Sequence, residues 1–389
     1  MLASEMRLAG LALFASAQAA LASGVWYVDG VDGSNDNNCK SRQEACKTIE
    51  HAISLASPGD FISVAAATYV ENLGIPFSLE IAGSGAAATI IDGGRVASVV
   101  LSTNPSAQVI LSGMTLRNGG GLGDGAGIYN DLSTMTLLNI TISGNNARRG
   151  SGSPGFGGGI YNTPGSTLTV INSTFSGNSA EEGGAICNGG KLTIANSSFV
   201  GNTAIDGKGG GIRNYRTLTI NNSTFSGNSV PGGIGGAIHN GEYVQQTGTL
   251  AINNSTISGN TAGDSGGIFN LKLTTTVIQN SIVANNSGGN CGGVMTSNGY
   301  NLSSDSSCSF DGAGDLSNTD PYLGPLQDNG GPTQTMALLE GSPAIDTGNP
   351  GGCTDGSGQL LKTDQRGKPR PDKEDSGGCD RGAYERQKD

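Results

Sequence analysis

Residues 209–228 read GGGIRNYRTLTINNSTFSGN. Within Thr217-Leu218-Thr219-Ile220 apolar and polar residues alternate, and a period of two is the mark of a half-buried strand. Glycine or asparagine breaks the run on both sides, before Ile212 and again around Phe225. Three short strands separated by tight corners therefore fit into about 26 residues.

The stretch is one copy of a repeat. Its Gly-Gly/Ala-Gly/Ala-Ile-x-Asn opening recurs with Ile at 128, 160, 186, 212, 238 and 268, at spacings of 32, 26, 26, 26 and 30. Its Asn-x-x-(Phe/Ile)-x-x-Asn close recurs from Asn139, Asn172, Asn196, Asn222, Asn254 and, in degenerate form, Asn280. A unit this short cannot bury its own apolar side chains, whereas copies stacked about 4.8 Å apart share one continuous core. The expected fold is therefore all-β, a right-handed parallel β-helix (solenoid) with a short N-terminal capping helix and an irregular C-terminal cap. Leucine-rich repeats would need helical runs after the Asn, and a propeller would need longer, aromatic-marked blades. The longer spacings place insertions, such as 150–156 and 243–247, at one corner. The domain reading is 1–22 signal peptide, 23–60 N-terminal cap, 61–310 repeats and 311–389 C-terminal capping module.

Stacking converts sequence offsets into ladders. Leu168/Val170, Leu192/Ile194, Leu218/Ile220 and Leu250/Ile252 are expected to point inward, with Phe175, Phe199, Phe225 and Ile257. Asn172, Asn196, Asn222 and Asn254 fall at a corner, where stacked amides can bond one another. The residue after each Ile, namely Tyr129, Tyr161, Cys187, Arg213, His239 and Phe269, is placed by alternation on the solvent face. Tyr129, Tyr161, Arg213, His239 and Phe269 are the candidate ligand-binding residues, since tyrosines with Arg and His can pack on sugar rings. The Thr141, Thr174, Ser198, Thr224, Thr256 row is also expected to be exposed, and Glu182 over Lys208 to be a register-fixing ion pair.

Composition sets the class and compartment. Glycine supplies 66 of 389 residues, charged residues are only 14%, and 21 Lys and Arg face 32 Asp and Glu for a net charge of −11. An acidic chain with no basic cluster is not expected to bind nucleic acid. Leu8 to Ala22 is apolar and small, too short for a membrane span, and ends in cleavage sites after Ala19 or Ala22. It reads as a secretory signal, better formed if translation starts at Met6, and no later stretch predicts a transmembrane segment. Cys39/Cys46, Cys291/Cys308 and Cys353/Cys379 form three local sets outside the repeats, suited to disulfides in an oxidising space, while Cys187 is the odd one. The expected protein is a monomer, secreted or on the surface of a bacterium.

The entry segment Tyr27-Val28-Asp29, Cys46-Lys47-Thr48-Ile49-Glu50-His51-Ala52-Ile53 and Ser57-Pro58-Gly59-Asp60 resembles the start of right-handed β-helix proteins of the pectate-lyase-like superfamily. There Ile49, Ala52, Ile53 and Ala56 make one face of a helix that can cover the first coil. Gly183-Gly184-Ala185-Ile186 and Phe175-Ser176-Gly177-Asn178 resemble the GGAI and FxxN repeats of chlamydial polymorphic membrane proteins, which are adhesins, although no membrane barrel follows residue 310. From Leu323, the run LGPLQDNGGPTQTMALLEGSPAIDTGN, then Thr363-Asp364-Gln365-Arg366-Gly367 and Cys379-Asp380-Arg381-Gly382-Ala383-Tyr384-Glu385, resembles the C-terminal module of choice-of-anchor Q exported proteins. Only Arg386 to Asp389 follow, so release rather than anchoring is expected.

Pectate-lyase-like enzymes use acidic Ca²⁺ sites with Arg or Lys as base, or several Asp on neighbouring coils. Asp124, Glu182 and Asp264 share an offset before the Ile but lie on non-adjacent coils, so no stacked carboxylate pair forms. His239 beside Arg213 is the catalytic pair to consider, and Asp364, Arg366 and Asp380 read as a buried polar network of the cap. The reading is a non-catalytic, adhesin-like protein without resident cofactor, binding an extracellular glycan or a cell-surface protein. The alternatives are a polysaccharide lyase or glycoside hydrolase, to which Ca²⁺ belongs, and a structural spacer.

Overall fold

The computed structural model describes residues 24–121, 123–148, 154–242, 248–372 and 378–387. The signal-peptide reading and most of the two insertions, 150–153 and 243–247, lie outside the described residues.

Nine successive coils each contribute one strand to each of three parallel sheets, which with additional N-terminal strands number eleven, nine and ten. In the central coil Ile212–Asn214 belongs to the nine-stranded sheet, Thr217–Asn221 to the eleven-stranded and Thr224–Ser226 to the ten-stranded. Successive coils stack in register, so Ile128, Ile160, Ile186, Ile212, Ile238 and Ile268 form one interior row. The leucine and isoleucine rows and Phe175, Phe199 and Phe225 are buried as expected. The three rings stack nearly parallel, with centroids 4.6 and 4.5 Å apart. The molecule is a right-handed parallel β-helix, as the repeats predict.

The asparagine ladders run elsewhere than at the corner. Asn139, Asn172, Asn196, Asn222, Asn254 and Asn280 sit at φ between 45 and 53°, a left-handed turn that asparagine tolerates. The continuous ladders are Asn130 to Asn270, the last residue of each Ile-x-Asn, and Asn145 to Asn286, the last of each FxxN, linked amide to amide at 2.7–3.0 Å. Both are buried, where an amide that donates and accepts along the axis leaves no orphan group.

Four central coils carry a further strand. Ser179–Glu182, Thr203–Lys208, Ser229–Ile234 and Thr261–Asp264 form an outer parallel sheet with its own small core of Ala204, Val230 and Ala262. Glycine-rich turns fold these strands back on the coil. A Cβ on Gly210 would lie 2.4 Å from the Gly236 oxygen and 2.6 Å from the Ser229 nitrogen, so no other residue fits.

At the N-terminal end α1, Ile49–Leu55, buries Ile49, Ala52 and Ile53 over the first coil. Thr48 accepts the His51 N–H, and the Glu71 carboxylate accepts those of Ile49 and Glu50, so the first turn has its donors satisfied. His51 lies half-buried on the helix.

The C-terminal module reaches the last coil, where Arg381 donates to the Asn301 carbonyl, and also runs back along the ten-stranded sheet. Gln365 accepts from Thr224 and donates to Ser198, and the Ala383 N–H donates to Thr256. Ser198, Thr224 and Thr256 are therefore buried, contrary to the exposed row that alternation predicts; Thr141 and Thr174, on earlier coils, stay half-exposed. Inside the module Arg366 pairs with Asp364 and Arg370 with Glu385, both at 2.7 Å. Burial pushes the Glu385 carboxyl up to about 8 against the pull of Arg370. The cluster is a structural network that pins the module to the solenoid.

Candidate functional site

The row after each Ile divides into a closed middle and an open N-terminal end. Arg213 and His239 are in register with each other and, contrary to their expected place on the solvent face, are 1% and 0% exposed. Cys187, next in the row, is buried too. The physical cause is the outer sheet. The Gly235 turn passes directly over His239, and the ends of the outer strands deliver Glu182 and Lys208 across the row.

Glu182 is the hub. It accepts from Arg213 at 3.2 Å, from the Tyr215 hydroxyl at 2.7 Å and from Lys208 at 3.4 Å, so the Glu182 and Lys208 pairing holds and serves a buried cation as well. The Arg213 guanidinium lies 4.4 Å from the Tyr215 ring centre and donates to His239 Nδ1 and to the Gly241 carbonyl. Burial, then Arg213 and Lys208, hold His239 well below its ordinary range, so it is neutral. Accepting at Nδ1 places its proton on Nε2, a buried atom with no partner among the described residues. Burial pushes the Cys187 thiol well up despite Arg213, which leaves it a protonated, inert packing group. A general base must reach a substrate proton. Covered in this way, the Arg213 and His239 pair acts as a cross-strand tie.

Tyr129, Tyr161 and Phe269 remain half-exposed. Tyr129 and Tyr161 meet edge to face at 5.7 Å, and Phe156, from the preceding corner, lies 5.7 Å from Tyr161. Leu101 extends the row by one coil and is 44% exposed. The result is an aromatic step two coils long, extended over a third coil by Leu101. Burial raises both phenols, so they stay protonated at neutral pH, and neither hydroxyl has a partner among the described residues. Asp124 borders the step and accepts the Phe156 N–H at 2.8 Å. Phe269 lies apart, against His239 at 5.1 Å.

The three cysteine sets are disulfides, Cys39–Cys46, Cys291–Cys308 and Cys353–Cys379. Such bonds persist in oxidising, extracytoplasmic compartments. Cys39, Cys46 and His51 lie close together, but two of the three ligands are joined in a disulfide, and the remaining imidazole alone does not suit a metal. Asp124, Glu182 and Asp264 are committed respectively to Phe156, to the Arg213 hub and to Ser265, and do not converge.

Three sheets of stacked coils and an N-terminal helical cover define a parallel β-helix. No family model and no curated protein matches the chain. Among solved structures it is similar to pectate lyase Pel9A, at 14% identity and a TM-score of 0.49, over 95% of this chain and 98% of that one. It is also similar to the GH136 lacto-N-biosidase of Eubacterium ramulus, at 13% identity and a TM-score of 0.43, over 72% of this chain. The chain spans only 60% of the biosidase's length. At these identities the likeness is one of fold.

Proposed function

We propose that the protein is an exported, non-catalytic β-helix that binds an extracellular glycan, with sugar rings resting on Tyr129, Tyr161 and Phe156. The observation that carries this reading is the half-exposed aromatic step, whose two phenol hydroxyls have no partner among the described residues. Sugar rings offer apolar C–H faces to aromatic side chains and hydroxyls to phenols, and a rigid sheet holds both without loss of side-chain freedom. The C-terminal motifs from Leu323 onward support membership of the choice-of-anchor Q exported proteins, and the GGAI and FxxN repeats support an adhesin-like place at the cell surface or outside it.

The test is a glycan array run alongside turnover assays for reducing ends and for unsaturated products at 235 nm, with and without Ca²⁺. Binding without turnover, weakened more than tenfold in Tyr129→Ala/Tyr161→Ala, is the expected result. Turnover of any polysaccharide would replace this reading with a lyase or hydrolase. Silence in every arm would leave a spacer.

A further inference from the structure

A cavity of about 290 Å³ opens beside the aromatic step, lined by Arg95, Gly119, Gly120, Gly121, Asn146 and Arg148. It contrasts with the rest of the molecule. The chain carries a net charge of −11, yet two arginines meet here, both exposed and neither paired with any described carboxylate.

The backbone brings the two arginines together. Arg95 and Val96 run against Gly120 and Gly121, where a Cβ would lie 2.9 Å from the Arg95 oxygen and 2.6 Å from that of Val96. Arg148 is carried by the next coil, its carbonyl accepting the Gly123 N–H. Arg95 is itself held at φ 63°, a conformation that disfavours a side chain. Gly123, bonded to Arg148, directly precedes Asp124, which holds Phe156 beside Tyr161. Cavity and step are thus successive parts of one surface.

Resting on the glycan reading above, we propose that this cavity selects an acidic saccharide, taking its carboxylate or sulfate between Arg95 and Arg148. Guanidinium groups suit planar or tetrahedral oxyanions. The ring beyond the acidic one then reaches Phe156 and Tyr161.

The full mature protein is titrated with three probes: a polygalacturonate oligosaccharide, a heparin-derived sulfated oligosaccharide and a neutral cello-oligosaccharide. Expected is preference for one or both acidic probes, falling with added salt and by about tenfold in Arg148→Gln. Arg95→Asn, which tolerates the same backbone, should do the same with unchanged melting temperature. Which acidic probe binds decides between carboxylate and sulfate. Binding of neutral sugars lost in Tyr161→Ala but indifferent to both arginines would overturn the cavity assignment and leave the glycan reading standing. Failure of all three probes would overturn the assignment, and failure across the wider array would overturn the glycan reading too.

Discussion

Replacing Asn202 by alanine tests whether the buried amide ladder holds the coils together. Asn202 Oδ1 accepts from the Asn178 backbone N–H at 3.1 Å and from its Nδ2 at 3.0 Å. Its own Nδ2 donates to the Phe175 carbonyl at 3.0 Å and to Asn228 Oδ1 at 2.9 Å. Alanine removes all four bonds. Asn228 Oδ1 keeps the Asn202 backbone N–H, and Asn178 Nδ2 keeps the Ile142 carbonyl, but the Asn178 backbone N–H and one amide hydrogen are left buried without an acceptor. At about 1–3 kcal/mol for each orphaned donor the cost is about 2–6 kcal/mol. The matched control is Asn172→Gly, at a corner where φ is 51° and the side chain makes no hydrogen bond among the described residues, for which a change within about 0.5 kcal/mol is expected. Urea unfolding followed by far-UV circular dichroism measures both. A loss below about 1 kcal/mol for Asn202→Ala, or equal losses for the two variants, would refute the ladder as the stabilising element.

Three further outcomes follow from the packing. Phe199→Ala removes the middle ring of the stack and should lower stability by about 3–5 kcal/mol, whereas Phe199→Leu should cost much less; a scan of melting temperatures separates them. Cys353→Ser with Cys379→Ser opens a loop of 26 residues and should weaken the protein by about 3.5 kcal/mol on the chain-entropy account, with early proteolysis of the C-terminal module as the readout. His239 is held neutral in the fold but takes up a proton near pH 6.5 once unfolded, so its contribution to stability is present above that pH and is lost as the pH falls below it. His239→Phe should therefore show a smaller drop in melting temperature between pH 7.5 and 5 than the parent, and an identical drop would show that the imidazole is not neutral in the fold.

Much of the interior was legible because stacking copies it. A residue such as Ile212 or Phe225 recurs at the coil period and alternates with polar neighbours, and both features are local in sequence. The aromatic pair Tyr129 and Tyr161 was legible for the same reason, although which of the asparagines forms ladders was not. Asn202 and Asn222 recur equally well, and only the backbone angle, left-handed at Asn222, separates a turn residue from a ladder residue. The cavity arginines carried no periodic signal at all.

Offsets of a few residues or of one coil are enough to place the solenoid, its inward rows, its helical cover and the local cysteine sets. Tertiary structure decided what the outward rows face. Arg213 and His239 were closed off by glycine-rich strands lacking alternation, and Thr224 by Gln365, 141 residues further on. Outward positions are not constrained by the repeat, so their environment is set by whatever segment folds over them, and contacts at that separation leave no pattern in the chain.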